Sequence, residues 1–442
     1  MDVQLITVAG LVTVTIALWA TRRLAEYLTA LMFFASAMIL HVAPASLIFS
    51  GFTSAAFWLV ISGYVIGIAI RKTGLAARSA RVLATHLSRS YPQMVLGIVG
   101  LTYALAFVMP SNMGRIALLM PIVLALADRV GFREKSPGRI GLSLAVGFGT
   151  FQLSASILPA NVPNLVMAGA IDTTYGLQLS YLPYLILHAP VLGILKGLAL
   201  CACIVWLFPD KTGKSIEVEP ARPLSPEEKR LGILLLMTLG LWLTDSLHGI
   251  SPAWVGLVAA CVCLLPRVGF VSSEEFGQEV NHRTAVYVAA ILGLAALVGQ
   301  SGLGTLIGNE VLTLAPLDPA SPFGSYTSIV GLSTLLNFVV TANGVPALFT
   351  PLAQSLATAS GLPLLSVLMI QVIGFSTPLL PYQASPIVLA IEMGRIPFVA
   401  ALRLSLALAF ITFCCIGSHQ LWMVRLSGLV TMILQRQTRP IL

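Results

Sequence analysis

Four short stretches carry the residues whose types and spacing could do chemistry in this chain. Pro110-Ser-Asn-Met-Gly-Arg-Ile-Ala-Leu-Leu-Met-Pro121 and Thr341-Ala-Asn-Gly-Val-Pro-Ala-Leu-Phe-Thr-Pro351 each set a polar, glycine-containing tip between apolar arms. Leu158-Pro-Ala-Asn-Val-Pro-Asn164 and Leu380-Pro-Tyr-Gln-Ala-Ser-Pro386 interrupt two otherwise complete apolar runs with prolines, beside Ser154, Ser156, Ser376 and Thr377. A proline inside a helix removes a donor and frees a carbonyl. A helix that restarts in apolar surroundings offers unpaired N–H groups and the positive end of its dipole. The chemistry on offer is ion recognition: N–H groups for an anion, and unwound carbonyls for a dehydrated cation such as sodium.

Catalysis is not indicated. His41, His86, His188, His282 and His419 are scattered without metal-ligand spacing, and no Ser/His/Asp set falls in the apolar runs, so no enzyme and no organic cofactor are expected. Gly213-Lys214-Ser215 resembles the end of a phosphate-binding loop, but Phe208 stands where the earlier glycine is required. The cysteines fall in three close pairs, Cys201/Cys203, Cys261/Cys263 and Cys414/Cys415, each within an apolar run, and read as small buried hydrophobes.

Composition sets the environment. Of 442 residues, 57% are hydrophobic and 10% charged, far too few charges to cover a soluble protein of this size. Apolar runs of about 18 residues or more recur, each long enough to cross roughly 30 Å of hydrocarbon as a helix. The chain therefore reads as an all-α polytopic membrane protein, because lipid leaves backbone groups no partner outside the segment itself. A net charge of +8 does not point to nucleic acid, since the basic residues sit in short loops. They obey the positive-inside pattern: Arg22, Arg23, Arg71, Lys72, Arg78, Arg81, Arg89, Arg129, Arg133, Lys135 and Arg139 mark the cytoplasmic side. Asp2, in place of a basic start, argues against a cleavable leader. The expected location is the cell's inner (plasma) membrane.

Full spans are expected near 4–20, 25–40, 53–70, 139–171, 182–208, 231–247, 252–266, 284–301, 365–392 and 398–418. Segments 91–128 and 323–360 differ. Each has apolar arms and a polar tip, and each is predicted to enter the membrane and turn back as a re-entrant hairpin. The polar stretch 209–230 divides the chain into two repeats. The first covers 1–208, with hairpin 91–128 and broken helix 139–171. The second covers 231–420, with hairpin 323–360 and broken helix 365–392. A C-terminal tail, 421–442, is expected to lie at the interface. Surface-lying helices are expected over 74–90, inside, and 302–314, outside, which makes the repeats inverted in topology, as in elevator-type carriers. Glu392 is expected to pair with Arg395, and Asp245 and His248 to sit at an outer interface. Gly63 and Gly67 form a helix-packing motif. Four interrupted segments meeting near mid-membrane imply a secondary transporter for a small anion.

At these residues the chain resembles the divalent anion/sodium symporter family of the ion transporter superfamily, over nearly its whole length and including Leu241-Trp-Leu-Thr-Asp-Ser-Leu-His-Gly-Ile250. The resemblance implies a homodimeric elevator that couples carboxylate or sulfate uptake to sodium, or exchanges anions. It implies that Ser111, Asn112, Asn161, Pro163, Asn343, Gln383 and Ala384 meet the substrate, with Met113 and Gly344 standing where the family has tip threonines; Arg115, outside the family pattern, is a further candidate for the substrate site. It also implies sodium sites drawn from Ser111, Asn112 and Ala160 on one side and Thr341, Asn343 and Gln383 on the other, sodium being the coupling ion.

The departures from the family pattern bear on cargo. Both tip threonines are replaced, by Met113 and Gly344, the second tip serine is Ala342, and Arg115 is added one helical turn beyond Asn112. A charge there is costly unless it serves a cavity. Arg115 could bind the anion, stand in for one sodium, or pair structurally. A carboxylate, sulfonate or sulfate fits this reading. The competing expectation is an ion or proton antiporter, or a metalloid-oxyanion exporter, of the same superfamily. Against it, neither the hairpin tips nor the broken loops carry Asp or Glu.

Overall fold

The computed structural model describes residues 3–21, 23–75, 78, 90–211, 223–314 and 317–416. Within them the chain is helical throughout, with no strand. The tail 421–442, the phosphate-loop-like 213–215 and most of the expected surface helix 74–90 lie outside the described residues. Four helices are long and apolar enough to cross a membrane alone: Val3–Thr21, Ala55–Thr73, Tyr181–Leu207 and His282–Gln300. The other apolar helices are shorter because the chain breaks them, as at Glu26–Ile39 and Pro252–Leu264.

Both hairpins return to the side they leave. The ring of Tyr91, which opens helix Tyr91–Ala106, lies 5.9 Å from that of Phe132, just past helix Asn112–Arg129. One straight helix over this stretch would put those rings roughly 60 Å apart at 1.5 Å per residue. In the second hairpin, a Cβ on Gly361, which follows helix Ala353–Ser360, would sit 3.0 Å from Cβ of Pro319, which precedes helix Pro322–Val339. The turns fall at the polar tips, between Ala106 and Asn112 and between Val339 and Val345.

Local chemistry explains the breaks. Ser111 caps the first outgoing helix, its Oγ accepting from Gly114 N at 3.1 Å. The span expected at 139–171 is Pro137–Ser154, a 3-10 turn Leu158–Ala160, and Val162–Tyr175. Asn161 caps its second half, with Oδ1 accepting from Asn164 N at 2.9 Å. The span expected at 365–392 is Leu364–Phe375, a 3-10 turn Pro381–Gln383, and Ser385–Gly394. Val345–Ser360 and Leu364–Phe375 meet at 119°. A third irregularity was not anticipated: within 181–207, residues Ala189–Leu195 form a π-helix that includes Pro190.

The basic face is tied together by ion pairs between the two halves. Arg71 pairs with Glu279, Lys72 with Glu275 at 2.8 Å, and Arg78 with Glu228 at 2.7 Å. The foot of the first hairpin joins the same face, since Gly138 N donates to Asp210 at 2.9 Å beside Arg139 and Asp128, which pair. Leu303–Leu314 is a helix, as expected for 302–314. One expectation needs correction. Arg395 pairs with Glu134 at 3.5 Å rather than with Glu392, because it ends helix Ser385–Gly394 in a left-handed conformation (φ 48°) that turns its side chain off the helix. Asp245 is buried within the protein, and its carboxylate accepts from Tyr181 N at 2.5 Å. Gly63 serves the first hairpin: a Cβ there would lie 3.0 Å from Cβ of Pro110.

Candidate functional site

The four interrupted segments meet at one cavity. Its wall includes Pro110, Ser111, Asn112 and Met113 from the first tip and Asn343 from the second. Val162, Pro163 and Leu165 come from the first broken span, and Ser385 and Pro386 from the second. The accessible volume is about 100 Å³, where about 10–15 Å³ holds one water, so several waters or a small solute fit. Helices Asn112–Arg129, Val162–Tyr175, Val345–Ser360 and Ser385–Gly394 all begin at this wall. Their positive dipole ends face one space, and no basic side chain lines it among the described residues.

The opposite wall belongs to other helices: Glu26 on Glu26–Ile39, Val60, Gly63 and Tyr64 on Ala55–Thr73, and Thr284 on His282–Gln300. Glu26 was not anticipated. The tips and broken loops do lack acids, but a carboxylate reaches the cavity from a helix that periodicity marks only as a span.

Of the residues expected at the site, Ser111, Asn112, Met113, Pro163 and Asn343 line the cavity. Arg115, Ala160, Asn161, Thr341, Gly344, Gln383 and Ala384 are not among the lining residues. Arg115 is fully buried and donates through Nη2 to Asn112 Oδ1 and, at 3.0 Å, to the Ala160 carbonyl. These are two of the oxygens that the resemblance offers to a first sodium, so a guanidinium stands among them. Its Nε and Nη1 have no hydrogen-bond partner among the described residues. On the other side, the Gln383 carbonyl accepts from Ala342 N at 3.0 Å. The Gln383 side-chain oxygen accepts from Leu379 N and Leu380 N at 2.7 and 2.9 Å, which makes it a strut of its own loop. Ala384 precedes helix Ser385–Gly394, and Gly344 precedes Val345–Phe349. The Thr341 carbonyl accepts from Gly344 N at 2.8 Å and so closes the second tip.

A second buried cation went unnoticed in the sequence. Lys196 is fully buried and donates to the Ser376 carbonyl at 3.0 Å, Ser376 Oγ at 3.4 Å and Thr377 Oγ1 at 2.9 Å. A lone lysine inside an apolar span was the available signal. No group of three or more His, Cys, Asp or Glu positioned to hold a metal occurs among the described residues.

Residues 1–428 match the profile of the sodium:sulfate symporter transmembrane region. The chain belongs to that family. Family membership makes it a multi-pass membrane anion transporter rather than an enzyme. Among proteins similar to this chain, a membrane protein of Cupriavidus necator is 28% identical over 60% of this chain, and the match covers 53% of that protein's length. The L-tartrate/succinate antiporter of Escherichia coli K12 is 26% identical over 79% of this chain and 74% of its own. The inner membrane protein YbhI of the same strain is 25% identical, over 72% and 69%. The YdaH transporter of Alcanivorax borkumensis has a similar fold, with a TM-score of 0.56 at 13% identity over 88% of this chain and 89% of that one.

Proposed function

We propose that this protein exchanges small anions of the dicarboxylate or sulfate class across the inner membrane, as a homodimeric elevator built from two inverted repeats. One observation carries the reading: four helix N-termini open on a single cavity, and the Arg115 guanidinium is hydrogen-bonded directly behind Asn112 in its wall. The dipole ends supply partial positive charge, each worth about 0.3–1 kcal/mol toward an anion and more where water is excluded. Arg115 adds a full charge that cannot diffuse away.

That fixed charge favours exchange over sodium symport. A mobile sodium at Asn112 and Ala160 would compete with a guanidinium already bonded to both. A buried unpaired cation resists passage through hydrocarbon, whereas an anion beside it lowers that cost. The empty carrier is thereby held back and the loaded one released. The dicarboxylate class draws support from the tartrate/succinate antiporter relative and the sulfate class from the family description.

The test is counterflow. Proteoliposomes loaded with unlabelled succinate, tartrate or sulfate are given a trace of the same labelled anion, in sodium, potassium or choline. Internal anion should accelerate uptake equally in all three. Uptake that requires a sodium gradient and ignores internal anion would overturn the reading. Proton-linked movement is a second reading, drawn from Glu26 at the cavity wall. It requires that a pH gradient drive uptake and that Glu26→Gln abolish that drive.

A further inference from the structure

The two broken spans are held open differently, and the difference assigns a task to Lys196. In the first, the connection between Ser154 and Asn161 is braced from within its own repeat. The Asn164 amide donates to the carbonyls of Ala155 and Ile157 at 3.1 and 2.9 Å, and more weakly to Ser154 at 3.4 Å. Each of these carbonyls also takes a second donor, Ile157 N for Ser154, the Tyr184 hydroxyl for Ala155 and Ala160 N for Ile157, so Asn164 completes a loop held from several sides. Asn164 directly follows Pro163, which lines the cavity, so one side chain closes the break and fixes the lip.

The second repeat lacks that brace. Pro386 also lines the cavity, but the residue after it is Ile387, whose side chain can donate nothing. The last carbonyls of helix Leu364–Phe375 are held within the second repeat, Gln371 by the Ser333 hydroxyl at 3.0 Å and Gly374 by the Asn337 amide at 2.9 Å, but the Ser376 carbonyl just past the helix has no backbone donor among the described residues. There Lys196 arrives from a different helix, and its three contacts match the three hydrogens of an ammonium. Ser376 Oγ is free to accept because its own hydrogen goes toward the Ile373 carbonyl, 3.3 Å away. The π-helix Ala189–Leu195 ends immediately before Lys196. Such a segment changes the angular phase of everything after it, and these segments frequently occur at functional sites.

We propose that Lys196 is a positioning residue that replaces, for the second broken span, the brace Asn164 gives the first, and so sets where Ser385 and Pro386 stand in the cavity wall. The path between them is stiff. From Ser376 the loop passes Leu379 and Leu380, whose N–H groups are bound by the Gln383 side chain. It then reaches the Gln383 carbonyl, which is bound by Ala342 N of the second tip. Displacement at the Lys196 end is therefore passed to the anion cavity.

The inference stands on this geometry whether or not the exchange reading holds, and the experiment separates the two. In the full-length protein, amide hydrogen exchange across 376–384 is measured in the parent, in Lys196→Met and in Lys196→Met/Ile387→Asn. This readout needs no cargo. Exchange should quicken at least tenfold in Lys196→Met and slow again in the double variant, which rebuilds the first repeat's arrangement. Where succinate counterflow is active in the parent, its apparent KM should rise and fall in parallel. Exchange in Lys196→Met equal to the parent, or no recovery in the double variant, overturns the proposal. Should Lys196→Met not fold, Thr377→Val, which removes one acceptor and keeps the ammonium, must quicken the same amides several-fold. Unchanged exchange there overturns it equally.

Discussion

Nη2 of Arg115 stands 3.0 Å from the carbonyl oxygen of Ala160, so a fixed charge joins the outgoing arm of the first hairpin to the break in the first spanning segment. The contact crosses 45 residues of sequence. It leaves the guanidinium behind the cavity rather than in it, with Asn112 as the one side chain that both binds Arg115 and lines the wall.

Asn112→Asp should therefore uncouple charge from fold. A carboxylate at this position forms a buried ion pair with Arg115 and cancels the charge offered to cargo, while the hydrogen bond survives. The apparent KM for the transported anion should rise at least about tenfold, equivalent to about 1.4 kcal/mol. The melting temperature should stay level or rise. Counterflow titration and a thermal melt on the same preparation check both, and an unchanged KM would remove Arg115 from anion recognition.

At Gly63 a membrane-spanning helix packs tightly against the first tip. A Cβ would meet Pro110 at 3.0 Å, and Pro110 belongs to a tip that cannot yield without moving Ser111. Gly63→Val should lower the maximal rate of transport severalfold by pushing the tip from the facing helix, at a stability cost of about 1–3 kcal/mol. A Gly63→Val protein with parental turnover would show that this close approach is dispensable.

The hairpins and breaks were legible because their signal is local. Asn112, Asn343 and the two proline-interrupted motifs are polar or helix-breaking residues inside apolar runs, and lipid tolerates those only where backbone turns or lines a cavity. The partners of those residues were not legible. Nothing near Arg115 in sequence names Ala160, and nothing near Lys196 names Ser376. Glu26 could not be placed at the cavity, since its helix is set against the tips by tertiary packing alone. Asn161 and the backbone at Gln383 were assigned to cargo by motif, and the structure adds that the side-chain oxygen of each accepts from nearby backbone N–H groups. A motif fixes the residue type but not which way its hydrogen bonds run.

The basic face should loosen in acid. A hydrogen bond from Lys72, and then one from Ser272 N–H, hold Glu275 below the ordinary glutamate value. A carboxylate lowered on folding stabilises fully above its unfolded pKa, near 4.3, and that contribution is lost as pH falls through the lowered folded value. Exchange of the amides of helix Ser273–Glu279, corrected for intrinsic rate, should rise as pH drops below about 4 and stay flat between 6 and 8. Lys72→Met should move the transition toward higher pH. An identical profile in that variant would show that the pair does not control the helix.

Asp245 tests how the long helix Tyr181–Leu207 is held at its outer end. Its carboxylate accepts from Tyr181 N, and the Tyr181 ring stacks on Trp242 at 5.8 Å, whose Nε1 donates to the Pro252 carbonyl at 2.9 Å. The first turn of Tyr181–His188 thus takes its acceptor from another helix, not from its own capping residue Ser180, which makes no side-chain cap. Asp245→Ala leaves a buried N–H unpaired and should cost about 1–3 kcal/mol. Asp245→Asn keeps an acceptor and should recover most of that loss. Thermal melts of the two variants in one detergent decide it: equal destabilisation would mean that the negative charge, not the hydrogen bond, does the holding.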